Sequence, residues 1–540
     1  MKAGALLDAA TQHALAFEWL VSAVAPASPY GERVFAELRP FAAGEEAAAH
    51  ARARAVAALA ETIDAERLDA ARDTLRNAPD AAGAIARASM GDVLSDANFL
   101  ELQRTFDAIE RIDALLAGAL EPAGSEATRA AARCLELGRA GKFGFYLDDR
   151  FDAELAASRA RLAQAQAELG AARGRAVQRA AAALGREEIA GDEFIVMRAD
   201  LHGALPEGVR VVREAPTYYL CALEYDDRTL CALERRDAAA DAVAAAEEAA
   251  RAALSQAIRE RAAPLDAAIR RLGELDVMIA AARFARRYDC VVAEPARENF
   301  LAFAGGRFLP LADELAAEGR AFAPIDVVLH DVAVLTGPNM GGKSVCLRTC
   351  GFVALCAAFG LPVPAARARV GLFGEIAWLG IGSEGELGGL LSSFAREVVR
   401  LREILERGGE RLFVLVDEFA RTTTPHEGKA LLVALLARLR ERRACGLAAT
   451  HLGGVAEAAG ARHFAVRGLR DVPRRPPGGD LHRVLAALAS SMDYTVTEVT
   501  GAETPRADAI ALAALLGLDD ELVAAAYDAL EERNRTQIAE

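Results

Sequence analysis

A glycine-rich octapeptide, GPNMGGKS, matches the pattern GxxxxGK[ST]. It follows the apolar segment VAVLT and opens the apolar segment SVCLRTCGFVALCAAF, so we predict a strand, a loop and a helix in this order. Glycines let the backbone curl until its N–H groups face phosphate oxygens, and a helix N-terminus adds positive potential. The octapeptide therefore predicts a loop that binds nucleotide phosphates. Its residues are Gly337, Pro338, Asn339, Met340, Gly341, Gly342, Lys343 and Ser344.

Two residues of this loop and two acids elsewhere could carry the chemistry of phosphoryl transfer. We expect Lys343 to reach the β and γ phosphates and Ser344 to bind Mg²⁺. The segment RLFVLVDE predicts a buried strand that ends in Asp417 and Glu418. An Asp at this position can hold the Mg²⁺ that bridges the terminal phosphates, and the neighbouring Glu can act as general base on the attacking water. The alternative, in which the two acids only cap the next segment, is weakened by the phosphate loop.

A histidine follows a further strand-like segment, CGLAATH, which ends at His451. A single histidine is more often structural than functional. In this order of motifs, however, His451 is expected near the phosphates, where it could sense the γ phosphate.

In the C-terminal part of the chain, predicted strands alternate with predicted helices, and these elements must position the residues named above. Short apolar segments such as DVAVLTG, EIAWLGIG and YTVTEVT are separated by helical ones, which is typical of an α/β nucleotide-binding domain. We place this domain at residues 299–540. Residues 1–150 read as a helical domain, and residues 151–298 as two antiparallel helical arms with a small β-containing tip at about 192–233. One irregular helical domain is the alternative for the arms.

Composition narrows the class of protein. Of 540 residues, 53% are hydrophobic, which excludes a disordered chain. The formal net charge of −15 argues against a surface dedicated to nucleic acid, because binding of phosphates requires clustered Lys and Arg. The cysteines form no CxxC pair, and no apolar stretch is long enough to span a bilayer. We expect a cytoplasmic protein without a membrane segment.

The segments TGPNMGGKS, DEFARTTTPHEG and ATH, in this order and spacing, resemble the ATPase domain of the MutS family, within the ABC-type ATPases. The resemblance covers residues 320–515 and extends more weakly over the helical part, which is similar to the family's lever and clamp domains. It implies an α + α/β fold in which this helical region precedes a P-loop ABC-type ATPase domain. It also implies that ATP and Mg²⁺ are the cofactors.

The same resemblance implies a dimer. In the family, ATP lies between two protomers, and a signature serine of one protomer touches the γ phosphate bound to the other. Ser392, followed by Phe394 and Glu397, matches this serine. The Arg-Thr-Thr-Thr-Pro run resembles the loop that crosses the dimer interface. A homodimer, or a heterodimer with a related MutS-like subunit, is therefore expected.

Departures from the family guide the functional interpretation. The chain begins directly with helices, where repair members carry a mixed α/β domain with a Phe-x-Glu wedge. Leu390 and Leu391 stand where repair members have Gly-Arg, and Thr422 and Pro425 replace Gly and Thr in the interface loop. Short relatives with DEFARTT-P-EG resemble the ATPase subunits of the reactivase for lysine 5,6-aminomutase, an adenosylcobalamin-dependent enzyme. This resemblance favours a remodelling ATPase with an aminomutase as its client.

Two other interpretations stay open at this point. The chain could be a DNA-binding MutS-type protein in mismatch repair or recombination, although the acidic composition does not favour DNA as a partner. It could also be a scaffold that binds ATP without hydrolysing it. The presence of Lys343, Ser344, Asp417, Glu418 and His451 weighs against the scaffold.

Overall fold

The computed structural model describes residues 1–136, 144–201, 203–338, 341–380, 393–407, 411–469, 492–499 and 509–539. The chain divides into two compact units. The first comprises Met1–Asn77, Ala114–Glu121 and Leu272–Glu540, and the second comprises Ala78–Asp113 and Pro122–Arg271. Helix and sheet are mixed, as the predicted α + α/β class requires. The predicted domain spans of 1–150, 151–298 and 299–540 stay a prediction.

The helices of the described residues are, in chain order, α1 Ala9–Ala14, α2 Phe17–Ala23, α3 Pro29–Glu37, α4 Glu46–Thr62, α5 Ala65–Arg76, α6 Ala82–Met90, α7 Asp96–Leu115, α8 Glu126–Glu136, α9 Ala153–Ala183, α10 Asp227–Arg259, α11 Ala262–Arg287, α12 Leu309–Ala317, α13 Lys343–Ala358, α14 Ser393–Arg407, α15 Pro425–Glu441, α16 Val455–Ala459, α17 Ala509–Leu515 and α18 Asp520–Ala539. A short 3₁₀ helix spans Arg198–Asp200.

The strands are β1 Glu193–Met197, β2 Val209–Glu214, β3 Tyr218–Leu223, β4 Glu294–Ala296, β5 Leu301–Gly306, β6 Ile325–Leu329, β7 Val332–Thr336, β8 Arg367–Gly371, β9 Glu375–Leu379, β10 Leu412–Asp417, β11 Cys445–Ala449, β12 Arg462–Leu469 and β13 Met492–Glu498. They form sheets with the strand orders β1-β3-β2, β4-β8-β5-β6 and β13-β12-β7-β11-β10-β9.

The long helices α9 and α10 of the second unit form an antiparallel pair. Along α9, residues 159, 168 and 179 form ion pairs with residues 247, 235 and 226 in turn. The residue number of the α10 partner falls as the residue number on α9 rises, which is the pattern of antiparallel helices. Buried alanines and Leu169 line the contact and allow the backbones to approach closely. Asp152 and Asp226 cap the two helices by accepting backbone N–H groups of their first turns.

Between α9 and α10 in sequence, β1, β2 and β3 form a small antiparallel sheet. One face of this sheet buries Phe194, Val196 and Cys221 in a cluster that also holds Ala180 and Ala181 of α9. Alternate residues of a strand point to opposite faces, so the same strands also carry an exposed face. The predicted β-containing tip at about 192–233 stays part of the domain prediction.

The six-stranded sheet is the centre of the first unit. Strands β12, β7, β11, β10 and β9 run parallel to their neighbours, and β13 joins β12 in antiparallel orientation at one edge. Every residue of β7, β9 and β11 is buried, as expected for parallel strands covered on both faces. The five strand-like segments that the sequence shows in the C-terminal part of the chain all contribute strands to this sheet, and β12 is an additional strand of it.

The N-terminal segment lies along β9, the other edge strand of this sheet. The carbonyl of Leu6 accepts the N–H of Ile376 at 2.8 Å, and Oγ1 of Thr11 accepts the N–H of Trp378 at 3.0 Å. These bonds use backbone donors of β9 that have no strand partner on that side within the described ranges. The segment therefore covers this part of the sheet edge.

No helix in the part of the chain that the structure describes is long and apolar enough to cross a membrane.

Candidate functional site

Strand register brings the described residues of the predicted site to the carboxyl edge of the six-stranded sheet, where its parallel strands end. Asp417 of β10 lies opposite Ala449 of β11, and Ala449 lies opposite Leu335 of β7. The phosphate loop that follows β7, the acids at the end of β10 and the residues after β11 therefore leave the sheet side by side. The carboxyl edge of parallel strands is the usual position for ligands in α/β proteins.

Lys343 is held inside the curl of the phosphate loop. Its Nζ donates to the carbonyl oxygens of Gly337 at 3.0 Å and Pro338 at 3.1 Å, and its side chain is 5% exposed. Gly342 precedes the first turn of α13 in the left-handed conformation, with φ of +85°. The free N–H groups of this first turn point toward the loop, so the loop presents a cation and backbone donors together.

Glycine is required at two positions of the loop because β12 and β13 pack against it. A Cβ at Gly337 would lie 3.1 Å from Cβ of Val466, and a Cβ at Gly342 would lie 3.0 Å from Cδ1 of Tyr494. Both residues also have positive φ, which L side chains rarely adopt. Sequence reasoning did not identify Val466 and Tyr494, because neither belongs to a motif and both are distant in the chain.

Ser344 and Asp417, the two residues predicted to bind Mg²⁺, are in contact. Oγ of Ser344 donates to Oδ1 of Asp417 at 3.0 Å. Burial raises the pKa of Asp417, and the charge of Glu418 acts in the same direction, whereas the bond from Ser344 and the charges of Arg348 and Lys343 lower it. A hydroxyl and a carboxylate in contact are the ligand types that Mg²⁺ prefers, so these residues fit the ion.

Glu418 lies between two cations. Its Oε1 is 3.5 Å from Nζ of Lys343, and its Oε2 is 3.5 Å from the guanidinium of Arg421. The carboxylate is only 17% exposed, so water reaches it from a limited direction. Its backbone has φ of +54°, and its N–H donates to the carbonyl of Ala449 at 3.0 Å.

The turn after Glu418 is held from α14. The N–H of Ala420, a residue with φ of +61°, donates to Oε2 of Glu397 at 2.8 Å. Burial raises the pKa of Glu397, and the bond from Ala420 and the charge of Arg421 oppose this shift. The sequence analysis identified Glu397 only as a residue near the signature serine. Its contact with the turn could not be predicted from the sequence.

The threonine run begins a helix. Thr424 caps α15, because its Oγ1 accepts the N–H of Glu427. The carboxylate of Glu427 in turn accepts the hydroxyls of Thr424 at 2.7 Å and Thr423 at 3.2 Å. Thr and Glu three residues apart form a variant of the capping box. The sequence analysis did not predict this local role, although a Thr followed three residues later by a Glu is a known pattern of helix N-termini.

His451 follows β11 on the same edge and is exposed. Its place beside Thr450, whose N–H donates to the carbonyl of Leu335 at 3.0 Å, puts it near the start of the phosphate loop. Asn339, Met340 and Ser392 lie outside the described residues. The predicted contact of Ser392 with a partner's nucleotide therefore stays a prediction, as do the roles assigned to the other site residues.

The chain is similar to MutS proteins over its C-terminal part. Residues 333–532 match MutS domain V. Endonuclease MutS2 of Carboxydothermus hydrogenoformans is 36% identical over 188 residues, which are 34% of this chain and 23% of the relative. Endonuclease MutS2 of Clostridium botulinum (strain Loch Maree) is 36% identical over 181 residues, 33% of this chain and 22% of the relative. That of Pelotomaculum thermopropionicum is 35% identical over 185 residues, 34% and 22% of the two chains.

The matched stretch spans less than a quarter of the length of these curated relatives. The match to MutS domain V contains all but the first residue of β7, and it contains β10 and β11. It therefore includes the phosphate loop, Asp417, Glu418 and His451. The comparisons show similarity to MutS proteins over this part of the chain, in agreement with the resemblance carried by the motifs.

The prediction of a reactivase subunit for lysine 5,6-aminomutase is wrong. The relatives are named Endonuclease MutS2, which favours the DNA-related alternative. The prediction depended largely on the loop DEFARTT-P-EG, and in the structure Thr423, Thr424 and Glu427 of this loop fix the start of α15. These contacts give the loop a local role at the start of the helix.

Proposed function

We propose that the chain is a MutS-type ATPase that binds ATP with Mg²⁺ and acts on DNA. The observation that carries the ATPase proposal is the meeting of Lys343, Ser344, Asp417 and Glu418 at one sheet edge. Each contact joins residues from separate motifs.

Lys343 and the backbone N–H groups of the first turn of α13 are proposed to hold the β and γ phosphates. Ser344 and Asp417 are proposed to bind Mg²⁺, which neutralises charge on the terminal phosphates when bound. The lysine is already enclosed by the loop carbonyls of Gly337 and Pro338, so little rearrangement separates it from a phosphate oxygen.

Glu418 is proposed as the general base. Its carboxylate adjoins Asp417 in sequence and lies 3.5 Å from Nζ of Lys343, so it faces the place where a γ phosphate would be held. A carboxylate there can accept the proton of a water that attacks in line with the leaving phosphate. His451, exposed on the same edge, is proposed to contact the γ phosphate or this water.

The proposed active form is a dimer in which Ser392 of one protomer completes the site of the other. A mixing experiment tests this. Lys343→Ala and Ser392→Ala proteins should each be nearly inactive, whereas their mixture should recover activity, because one of its two sites keeps both residues intact. A mixture as inactive as its components would exclude a shared site of this kind.

Action on DNA is supported by the name of the relatives, Endonuclease MutS2. The proposal concerns binding of DNA coupled to ATP hydrolysis and not its cleavage, because the matched stretch contains the nucleotide site. With a formal net charge of −15, contact with DNA must be confined to a local surface.

The steady-state ATPase rate with and without DNA tests the proposal. Linear duplex, mismatched duplex and branched DNA should be compared at physiological salt, with Lys343→Ala as the control for contaminating ATPases. We expect stimulation of several-fold that weakens as salt rises, since binding to phosphates releases counterions. ATP hydrolysis that no DNA changes, together with no DNA binding, would leave the ATPase proposal standing and remove DNA from it.

A further inference from the structure

The turn between β10 and α15 has an unusual backbone. Glu418 and Ala420 have φ of +54° and +61°, and both are L residues with a Cβ. The left-handed region is unfavourable for such residues, so a conformation of this kind persists only where the surroundings hold it. The direction in which the Glu418 carboxylate points depends on these two residues.

Hydrogen bonds from separate elements hold the turn. The N–H of Glu418 donates to the carbonyl of Ala449 on β11, and the N–H of Ala420 donates to the carboxylate of Glu397 on α14. A third bond, from the N–H of Thr423 to the carbonyl of Ala420 at 3.2 Å, lies within the turn itself. Among these, the bond to Glu397 is the one made by a side chain, and its charged acceptor makes it strong.

The helix that carries Glu397 is fastened further along. Arg400 and Arg407 of α14 both bind the carboxylate of Asp8, and Nε of Arg407 also donates to Glu375 of β9 at 3.0 Å. Asp8 lies in the N-terminal segment that covers β9. Burial raises the pKa of Asp8, but the bonds from Arg400 and Thr11 outweigh burial and lower it. These ion pairs fix where α14 lies along its own axis, and so where Glu397 meets the turn.

We infer that Glu397 is a positioning residue for Glu418. By accepting the N–H of Ala420, it holds the left-handed turn that aims the Glu418 carboxylate toward Lys343, 3.5 Å away. Glu397 does not itself touch the nucleotide in this role. The inference rests on the proposed ATP hydrolysis, since it assigns Glu397 a part in that reaction.

Glu397→Ala and Glu397→Gln test the role, with Glu406→Gln as the control on an exposed position of the same helix. Glu397→Ala should lower kcat for ATP by about tenfold to a hundredfold, because misplacing a catalytic group by about 1 Å has effects of this size. The affinity for ATP should stay within about twofold, since the phosphate loop is untouched. Glu397→Gln should recover part of kcat, because an amide oxygen can accept the same N–H.

A double-mutant cycle separates positioning from general support of the fold. In an Ala420→Gly background, glycine adopts the left-handed conformation without steric cost. Removal of Glu397 should then reduce kcat several-fold less than it does in the natural background. An equal loss in both backgrounds would contradict the inference, as would a Glu397→Ala protein whose ATP affinity falls together with kcat.

Failure of the positioning role of Glu397 can be distinguished from failure of the proposed ATP hydrolysis. Absence of ATP binding and hydrolysis in the unmodified protein would remove the proposed function and the inference with it. Normal hydrolysis by the unmodified protein, loss in Glu418→Gln and an unchanged kcat in Glu397→Ala would overturn the inference alone.

Discussion

The two loops that leave the same edge of the central sheet are built in different ways. The phosphate loop after β7 places its unusual backbone at Gly337 and Gly342, and β12 and β13 pack where a Cβ would otherwise stand. The turn after β10 places its unusual backbone at Glu418 and Ala420, and hydrogen bonds from β11 and α14 hold it.

The difference teaches that shape is maintained by different means on the two sides of the site. The phosphate loop depends on the absence of side-chain atoms, so an added methyl group should damage it. The turn after β10 depends on acceptors supplied by other elements, so loss of an acceptor should loosen it. Residue 418 cannot be glycine if its carboxylate is needed, which explains why strain is tolerated there and not in the phosphate loop.

Among the variants that test this comparison of the two loops, Glu418→Gln is expected to have the largest effect, on the rate of ATP hydrolysis. The amide has the same shape but cannot accept a proton, so hydrolysis should slow by roughly a hundredfold or more. Binding of ATP should persist, because Lys343 and the loop are unchanged. Single-turnover hydrolysis and equilibrium binding of ATP measure the two quantities separately. A hydrolysis rate close to that of the unmodified protein would remove Glu418 from the role of base.

Gly342→Ala should break the phosphate loop. The new Cβ would lie 3.0 Å from the ring of Tyr494, and φ of +85° is unfavourable for alanine. We expect ATP affinity to fall by about tenfold or more, since a penalty of about 1.4 kcal/mol corresponds to tenfold. Equilibrium binding of ATP is the measurement.

Two further variants sharpen this result. Gly174→Ala on α9, where a Cβ meets nothing and the backbone is helical, is the matched control. Tyr494→Ala added to Gly342→Ala should restore only part of the affinity, because it relieves the contact and not the backbone strain. Full restoration would show that packing alone requires glycine at this position.

Thr424→Ala should loosen the far end of the turn after β10. Loss of an N-terminal cap costs about 1 kcal/mol, so the first turn of α15 should fray. Hydrogen exchange at the amide of Glu427, which Oγ1 of Thr424 accepts, should become faster. Thr424→Ser keeps the hydroxyl and serves as the control. Unchanged exchange would mean that Thr423 or the packing of the helix is sufficient.

The smallest effect is expected from Ala420→Gly. Glycine removes a left-handed penalty of about 1–2 kcal/mol but adds freedom to the unfolded chain worth about 0.4–1 kcal/mol. The variant should therefore be slightly more stable, by up to about 1.5 kcal/mol, in thermal unfolding. A clear loss of stability would indicate that the methyl group of Ala420, which is buried, matters more through packing than its backbone angle costs.

The sequence predicts the parts of the site that lie within motifs. Lys343, Ser344, Asp417 and Glu418 follow from local patterns of strand, loop and helix, and the register of β7, β11 and β10 then brings them together. These patterns are local, so the chain itself displays them.

The remaining features depend on contacts between distant residues. Tyr494 meets Gly342 across 152 residues (494 minus 342), and Glu397 meets Ala420 across 23 residues. Positive φ at Glu418 and Ala420 leaves no mark in composition, because any residue can be forced into it by tertiary bonds. The prediction of an aminomutase as the client was wrong for a related reason. The loop DEFARTT-P-EG, whose residues fix the start of α15, was interpreted as evidence for a particular partner.

The N-terminal segment over β9 has a consequence for association between copies of the chain. An uncovered edge strand offers a row of backbone donors and acceptors to any other strand, which favours aggregation. Leu6 and Thr11 satisfy two of these donors, on Ile376 and Trp378, and Asp8 between them binds Arg400 and Arg407. A protein shortened past Thr11 should consequently form insoluble or oligomeric material through β9, even where its nucleotide site remains intact.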